Sequence, residues 1–207
     1  MDYKVVIYSG GKCGGSSLLY SLMREGIKST YIHSNEQYLY CKRNGIFQEV
    51  HGLNNKSIFE NVSEDCIFID VYRNPIDRAI SSYFENYNHN KKYFNIPNFD
   101  NLEDEVNYFQ INIFHELENY EGFRDIMKYY GLNKLENKEN YWIGKKDKKL
   151  FIRLKFDKIK DWENIILNEL DIKIELCRAN TSDNKDYKVK YQKFKKIYYK
   201  QYGKVWI

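Results

Sequence analysis

Apolar positions cluster early in the chain. Val5, Val6, Ile7 and Tyr8 form a short continuous run, and Leu18, Leu19, Leu22 and Met23 then recur at helical spacing. Between them Gly10, Gly11, Gly14 and Gly15 interrupt any regular period, so the pattern predicts a strand, a glycine loop and a helix. Gly26 sits where a helix-ending glycine belongs, and Ser29 to His33 reads as the next strand. A strand, a helix and a second strand in this order imply a βαβ unit and a parallel sheet.

Further on, Cys66 to Tyr72 is apolar except for Asp70, and Pro75 follows Asn74 as a first helical residue follows its N-cap. The spacing predicts helices within 101–120, over 160–170 and over 184–202, and a strand over 150–156. The Lys/Asn-rich stretches 86–98 and 133–149 read as surface loops or insertions. The expected fold is α/β, a central parallel sheet with helices on both faces, in a single domain spanning 1–207.

Composition narrows the chemistry only slightly. With 33 basic and 29 acidic residues the net charge is +4, a mild bias toward anionic ligands without the signature of a nucleic-acid binder. Cys13, Cys41, Cys66 and Cys177 show neither metal-ligand spacing nor a disulfide pattern, which predicts a reducing cytoplasmic setting and no metal. The start of the chain has no basic region leading into a long apolar one, and no run has the ~18–20 apolar residues of a membrane span.

The loop Ser9-Gly-Gly-Lys-Cys-Gly-Gly-Ser-Ser-Leu18 carries the first candidate chemistry. A loop between a parallel strand and a helix aims backbone N–H groups at one point, where the helix terminus adds positive potential, so it suits a phosphate. By itself it is equally a flexible turn with a solvated lysine. A nucleotide-triphosphate loop requires G-x-x-x-x-G-K-[ST], and aligning Gly10 and Gly15 with it puts Ser16 where the lysine must stand. A nucleotide-dependent kinase is therefore the alternative, with Asp70 as its magnesium-holding aspartate.

The second segment runs from Tyr72 to Phe84, with Arg73 at a strand end and Ser81 about two helical turns on. Its plainest reading is an amphipathic helix that buries Ile76, Ile80, Tyr83 and Phe84 and leaves Arg73, Asp77 and Arg78 in surface ion pairs. Taken together, Lys12-Cys-Gly-Gly-Ser-Ser17 and Arg73-Asn-Pro-Ile-Asp-Arg-Ala-Ile-Ser-Ser-Tyr83 resemble the two nucleotide motifs of sulfotransferases that use 3′-phosphoadenosine-5′-phosphosulfate (PAPS). Those motifs are K-x-G-[ST]-[ST] and R-[ND]-P-x-[DE]-R-x-x-S-x-[YF]. The first match departs at Gly15, where many members carry a hydroxyl. Ile113-Phe-His-Glu-Leu117 and the segment from Asn180 through Lys185 to Tyr187 are similar to parts of bacterial capsular polysaccharide synthesis proteins, which are themselves sulfotransferase-like.

The resemblance implies a fold like that of P-loop nucleoside triphosphate hydrolases and a PAPS donor. Lys12, Cys13, Gly14, Gly15, Ser16 and Ser17 would hold its 5′-phosphosulfate, and Arg73 and Ser81 its 3′-phosphate; Lys185 or Asn180 would add a contact from a closing loop. Lys12 would follow charge onto the leaving oxygen, and no metal is needed. Tyr31-Ile-His-Ser34 resembles the strand-end histidine of uronyl 2-O-sulfotransferases, so His33 is the expected base and Glu36 its substitute, with His51, His89 and His115 less favourably placed. An aromatic content of 17%, with 20 tyrosines, could supply sugar-stacking faces, and the lysines at 91, 92, 145, 146, 148 and 149 could meet an anionic glycan or equally form solvated loops; a carbohydrate acceptor is expected, with small-molecule alcohols, phenols or lipids as the alternatives. A non-catalytic anion-binding scaffold for polysaccharide assembly is the alternative from a different class.

Overall fold

The computed structural model describes residues 3–10, 13–32, 62–85, 87, 95–114, 122–177 and 187–203. They gather into two compact units: Met1–Arg73 with Tyr120–Ala179, and Asn74–Asn119 with Asn180–Ile207.

The first unit is built on a six-stranded mixed sheet. Strands β1 (Tyr3–Tyr8), β2 (Ser29–Ile32), β3 (Val62–Tyr72), β4 (Glu136–Asn137), β5 (Tyr141–Lys146) and β6 (Lys149–Lys155) lie in the order β2-β1-β3-β6-β5-β4. The first four in that order are parallel, and β5 and β4 are antiparallel to their neighbours. The expectation of a wholly parallel sheet is thus corrected. Only Asp147 and Lys148 separate β5 from β6, too short a link for a parallel crossover, and Asp147 takes a positive φ of 52° to close the hairpin. The stretch 133–149, expected to be loop, supplies β4 and most of this hairpin.

Helix α1 (Gly15–Arg24) crosses from β1 to β2. Its Leu18 and Leu22 pack with Val5, Ile7, Ile69, Val71, Ile152 and Leu154 on one sheet face, where Trp162 and Ile166 of a later helix, Trp162–Leu170, complete the core. The other face gathers Val6, Tyr8, Phe68 and Phe151 against Phe123, Ile126 and Met127 of the helix Gly122–Tyr129. Burial on both faces is why β1 reads as an unbroken apolar run. Each such fully buried large side chain contributes about 1.5–3 kcal/mol.

The second unit is helical. In chain order the remaining helices are α2 (Pro75–Glu85), α3 (Leu102–Asn112), α4 (the Gly122–Tyr129 helix above), α5 (the Trp162–Leu170 helix) and α6 (Lys188–Tyr202); α2, α3 and α6 form this unit. Asn74 caps α2 as expected, its Oδ1 accepting from the Ile76 N–H at 2.9 Å, with Pro75 in the first turn. Ile76, Ile80, Tyr83 and Phe84 are buried with Phe109, Phe194 and Tyr198. Arg78, expected at the surface, is buried, whereas Asp77 accepts from Tyr199 at 3.0 Å and pairs with Lys195 at 2.7 Å.

At the centre of this aromatic cluster is one carboxylate. Glu105, 3% exposed, accepts from the hydroxyls of Tyr83 at 2.9 Å and Tyr87 at 2.7 Å and pairs with Lys190 at 2.7 Å. Burial and the adjacent carboxylate push the Tyr83 hydroxyl well above the ordinary tyrosine range, so it remains a donor. Glu105→Ala would remove the carboxylate that two hydroxyls and an ammonium share, leaving Lys190 its bond to the Tyr87 hydroxyl at 2.6 Å. It is expected to destabilise the protein by about 3 kcal/mol in urea unfolding, with Glu105→Gln, which keeps an acceptor, costing about half as much.

Candidate functional site

Three aromatic rings pack against Gly14 and Gly15 of the glycine loop. Gly14 caps α1 in the left-handed conformation (φ 81°), and a Cβ there would lie 3.2 Å from the Trp162 ring and 3.4 Å from that of Phe156. At Gly15 a Cβ would come within 2.6 Å of Tyr31 Cζ and 2.8 Å of Ser9 Oγ. The space a serine or threonine would need at position 15 is taken by the Tyr31 ring from β2. This accounts physically for the departure of Lys12-Cys-Gly-Gly-Ser-Ser17 from K-x-G-[ST]-[ST].

Tyr31 is buried, and its hydroxyl donates to the Gly10 carbonyl at 3.4 Å. Burial raises its pKa well above the usual tyrosine value; a hydrogen bond with Ser9 opposes the shift, and Cys13 and Asp70 add to it. The ring packs beneath Gly15 as a buried group whose neutral form is favoured.

The head of α1 suits an anion. The N–H groups of its first turn have no acceptor within the helix, its N-cap Gly14 offers no side chain, and no acidic residue stands in that turn. Ser16 is half-buried beside it and Ser17 is buried. The Cys13 side chain is 1% exposed and belongs to the core, so only its backbone faces the loop.

Arg73 leaves the end of β3, and its guanidinium lies 4.6 Å from the centre of the Phe156 ring. Phe156 opens the 3₁₀ turn Phe156–Asp161 that follows β6. The ring that crowds Gly14 thus also carries Arg73, so the fold brings the arginine of one motif and the glycine loop of the other against a single side chain. Trp162 supports this arrangement, its ring edge-on to Phe156 at 6.3 Å and its Nε1 donating to the Lys155 carbonyl at 3.0 Å. Neither Phe156 nor Trp162 stood out in the sequence. The available signal was an aromatic residue directly following the last parallel strand.

Ser81 lies half-buried on α2, in the second unit. Lys12, His33, Glu36 and Lys185 lie outside the described residues, as do Asn180, His51, His89 and His115. Asp70 is not disposed as a magnesium ligand would be. It is 1% exposed and accepts from Arg153 Nε at 2.6 Å, its register partner on β6.

Comparison with known proteins gives no match to a family model, a curated protein or a solved structure.

Replacing Gly15 by serine is expected to destabilise the protein by about 1–3 kcal/mol through overpacking against Tyr31. In a Tyr31→Ala background the same replacement should cost markedly less. A double-mutant cycle on thermal unfolding reads that coupling.

Proposed function

We propose that this chain is a PAPS-dependent sulfotransferase that moves a sulfuryl group to a hydroxyl, on a carbohydrate acceptor. The observation that carries the reading is the shared Phe156 ring: Arg73 and Gly14, the N-cap of α1, belong to separate motifs 59 residues apart, yet both pack against it. A cationic fork beside a ring of backbone donors fits a ligand with two anionic groups on one nucleoside.

PAPS, when bound, supplies the activated sulfuryl group. The N–H groups of residues 13–17 would hold its 5′-phosphate and Arg73 would read the 3′-phosphate; a part for Ser81 there, and a cofactor contact from Lys185, are what the resemblance implies. Lys12 is the residue proposed to offset negative charge developing on the leaving oxygen. His33 is the proposed base that takes the proton of the acceptor hydroxyl, and Glu36 is its substitute. The kinase reading is weakened by the commitment of Asp70 to Arg153.

Titration calorimetry with adenosine 3′,5′-bisphosphate, with adenosine 5′-monophosphate and with magnesium-ATP tests the assignment. Arg73→Ala should weaken binding of the bisphosphate by about 10–100-fold, the worth of a charge-assisted contact, and that of the monophosphate by less than about threefold. Equal losses would remove Arg73 from the 3′-phosphate site, and a preference for magnesium-ATP would turn the reading to a kinase. In a sulfation assay His33→Ala should lower kcat about 100-fold or more while bisphosphate affinity holds. Full turnover in that variant would transfer the role to Glu36.

A further inference from the structure

The α4 face of the sheet carries a second candidate site that neither motif uses. A cavity of about 460 Å³ lies there, lined by Arg124 and Met127 of α4, Lys134 and Leu135 of the following loop, Trp142 of β5 and Arg153 of β6. Its volume falls in the roughly 300–1,000 Å³ range of small-molecule sites. The lining holds three cations and, among the described residues, no acid. Glu136, two residues beyond Lys134, is paired with Lys138.

Arg153 is the group that gives the cavity chemical direction. Its Nε is held at 2.6 Å by the buried carboxylate of Asp70, and its guanidinium lies 5.3 Å from the centre of the Phe123 ring. Fixed at Nε and backed by an aromatic ring, the fork makes no other hydrogen bond among the described residues and loses little freedom on binding a ligand. Trp142, the register partner of Arg153 on β5, forms a flat wall beside it. The Lys155 ammonium sits 4.6 Å from the centre of the indole and reinforces the positive potential.

We propose that this cavity binds a carboxylate carried on a ring-sized polar body, the chemistry of a sugar acid. The planar fork pairs with a carboxylate through two parallel N–H···O bonds, Lys134 and Arg124 bring further positive charge, and Trp142, Met127 and Leu135 give the ring an apolar wall that a bare ion would not use. The proposal stands apart from the nucleotide reading, since every residue in it lies on β5, β6, α4 and the loop after α4.

The test uses the whole protein with glucuronate as probe and glucose and acetate as controls. The chain has three tryptophans, so the Trp142 indole N–H resonance is identified by its loss in Trp142→Phe. Glucuronate should shift that resonance and bind at least about tenfold more tightly than either control. Because Arg153→Gln leaves Asp70 buried without its cation and risks misfolding, the paired exposed variant Arg124→Gln/Lys134→Gln is measured beside it. It should weaken glucuronate by about threefold or more while keeping the unfolding temperature and adenosine 3′,5′-bisphosphate binding of the parent. Glucose binding as tightly as glucuronate, acetate doing so, or no shift at Trp142 would each overturn the proposal. Failure of bisphosphate binding with glucuronate binding intact would count against the nucleotide reading alone.

Discussion

The geometry at Gly14 and Gly15 depends on a steric constraint: three aromatic rings pack beneath them, leaving no room for a Cβ at Gly15 and only a tight fit at Gly14, whose φ is itself left-handed. Tyr31 reaches under Gly15 from β2, and Phe156 and Trp162 reach under Gly14 from the segment after β6. The left-handed turn at Gly14 starts α1 at a defined angle, and α1 in turn directs its first-turn N–H groups outward from the strand end. A loop of the same composition without these supports would have glycine's full freedom and no preferred anion geometry. Here the glycines are needed because of what packs against them, and the loop's preorganisation comes from strands far away in sequence.

Charge is divided within the sheet in the same economical way. Asp70 and Arg153 are register partners on adjacent parallel strands, and their pairing places a charged couple inside an otherwise apolar layer. Burying the carboxylate is tolerable because the guanidinium answers it directly, and the arginine, 29% exposed, keeps contact with the α4-side cavity. One side of the arginine serves stability and the other faces outward as a fixed cation. In the helical unit Glu105 has a comparable role, with tyrosine hydroxyls and Lys190 sharing a single carboxylate amid aromatic rings.

Hydrophobic period and turn chemistry alone made β1, α1, β2, β3 and the Asn74-Pro75 start of α2 legible in the sequence, because burial on both sheet faces writes a strand as an apolar run and caps are set by neighbouring residues, even though the strands' partners lie far along the chain. Of the antiparallel hairpin β6 was legible and β5 was not. The hairpin carries Lys145, Lys146, Lys148 and Lys149 around its turn, so the composition there resembles a loop, and only pairing with β6 shows what β5 is. Nor was the buried position of Arg78, since an amphipathic pattern assigns a cation to solvent until the neighbouring helices are in place.

For the candidate site the division is similar. The residue types that suit an anion, glycines, serines and Arg73, were determined by the sequence and visible in two short motifs. Tertiary structure alone decided that Gly15 has no space for the hydroxyl its pattern leads one to expect. It alone decided that Phe156 joins Arg73 to the loop, and that Asp70 answers an arginine. The physical reason is that steric exclusion and ion pairing act between strands adjacent in the sheet but distant in the chain, and no local pattern records which ring or charge will arrive there.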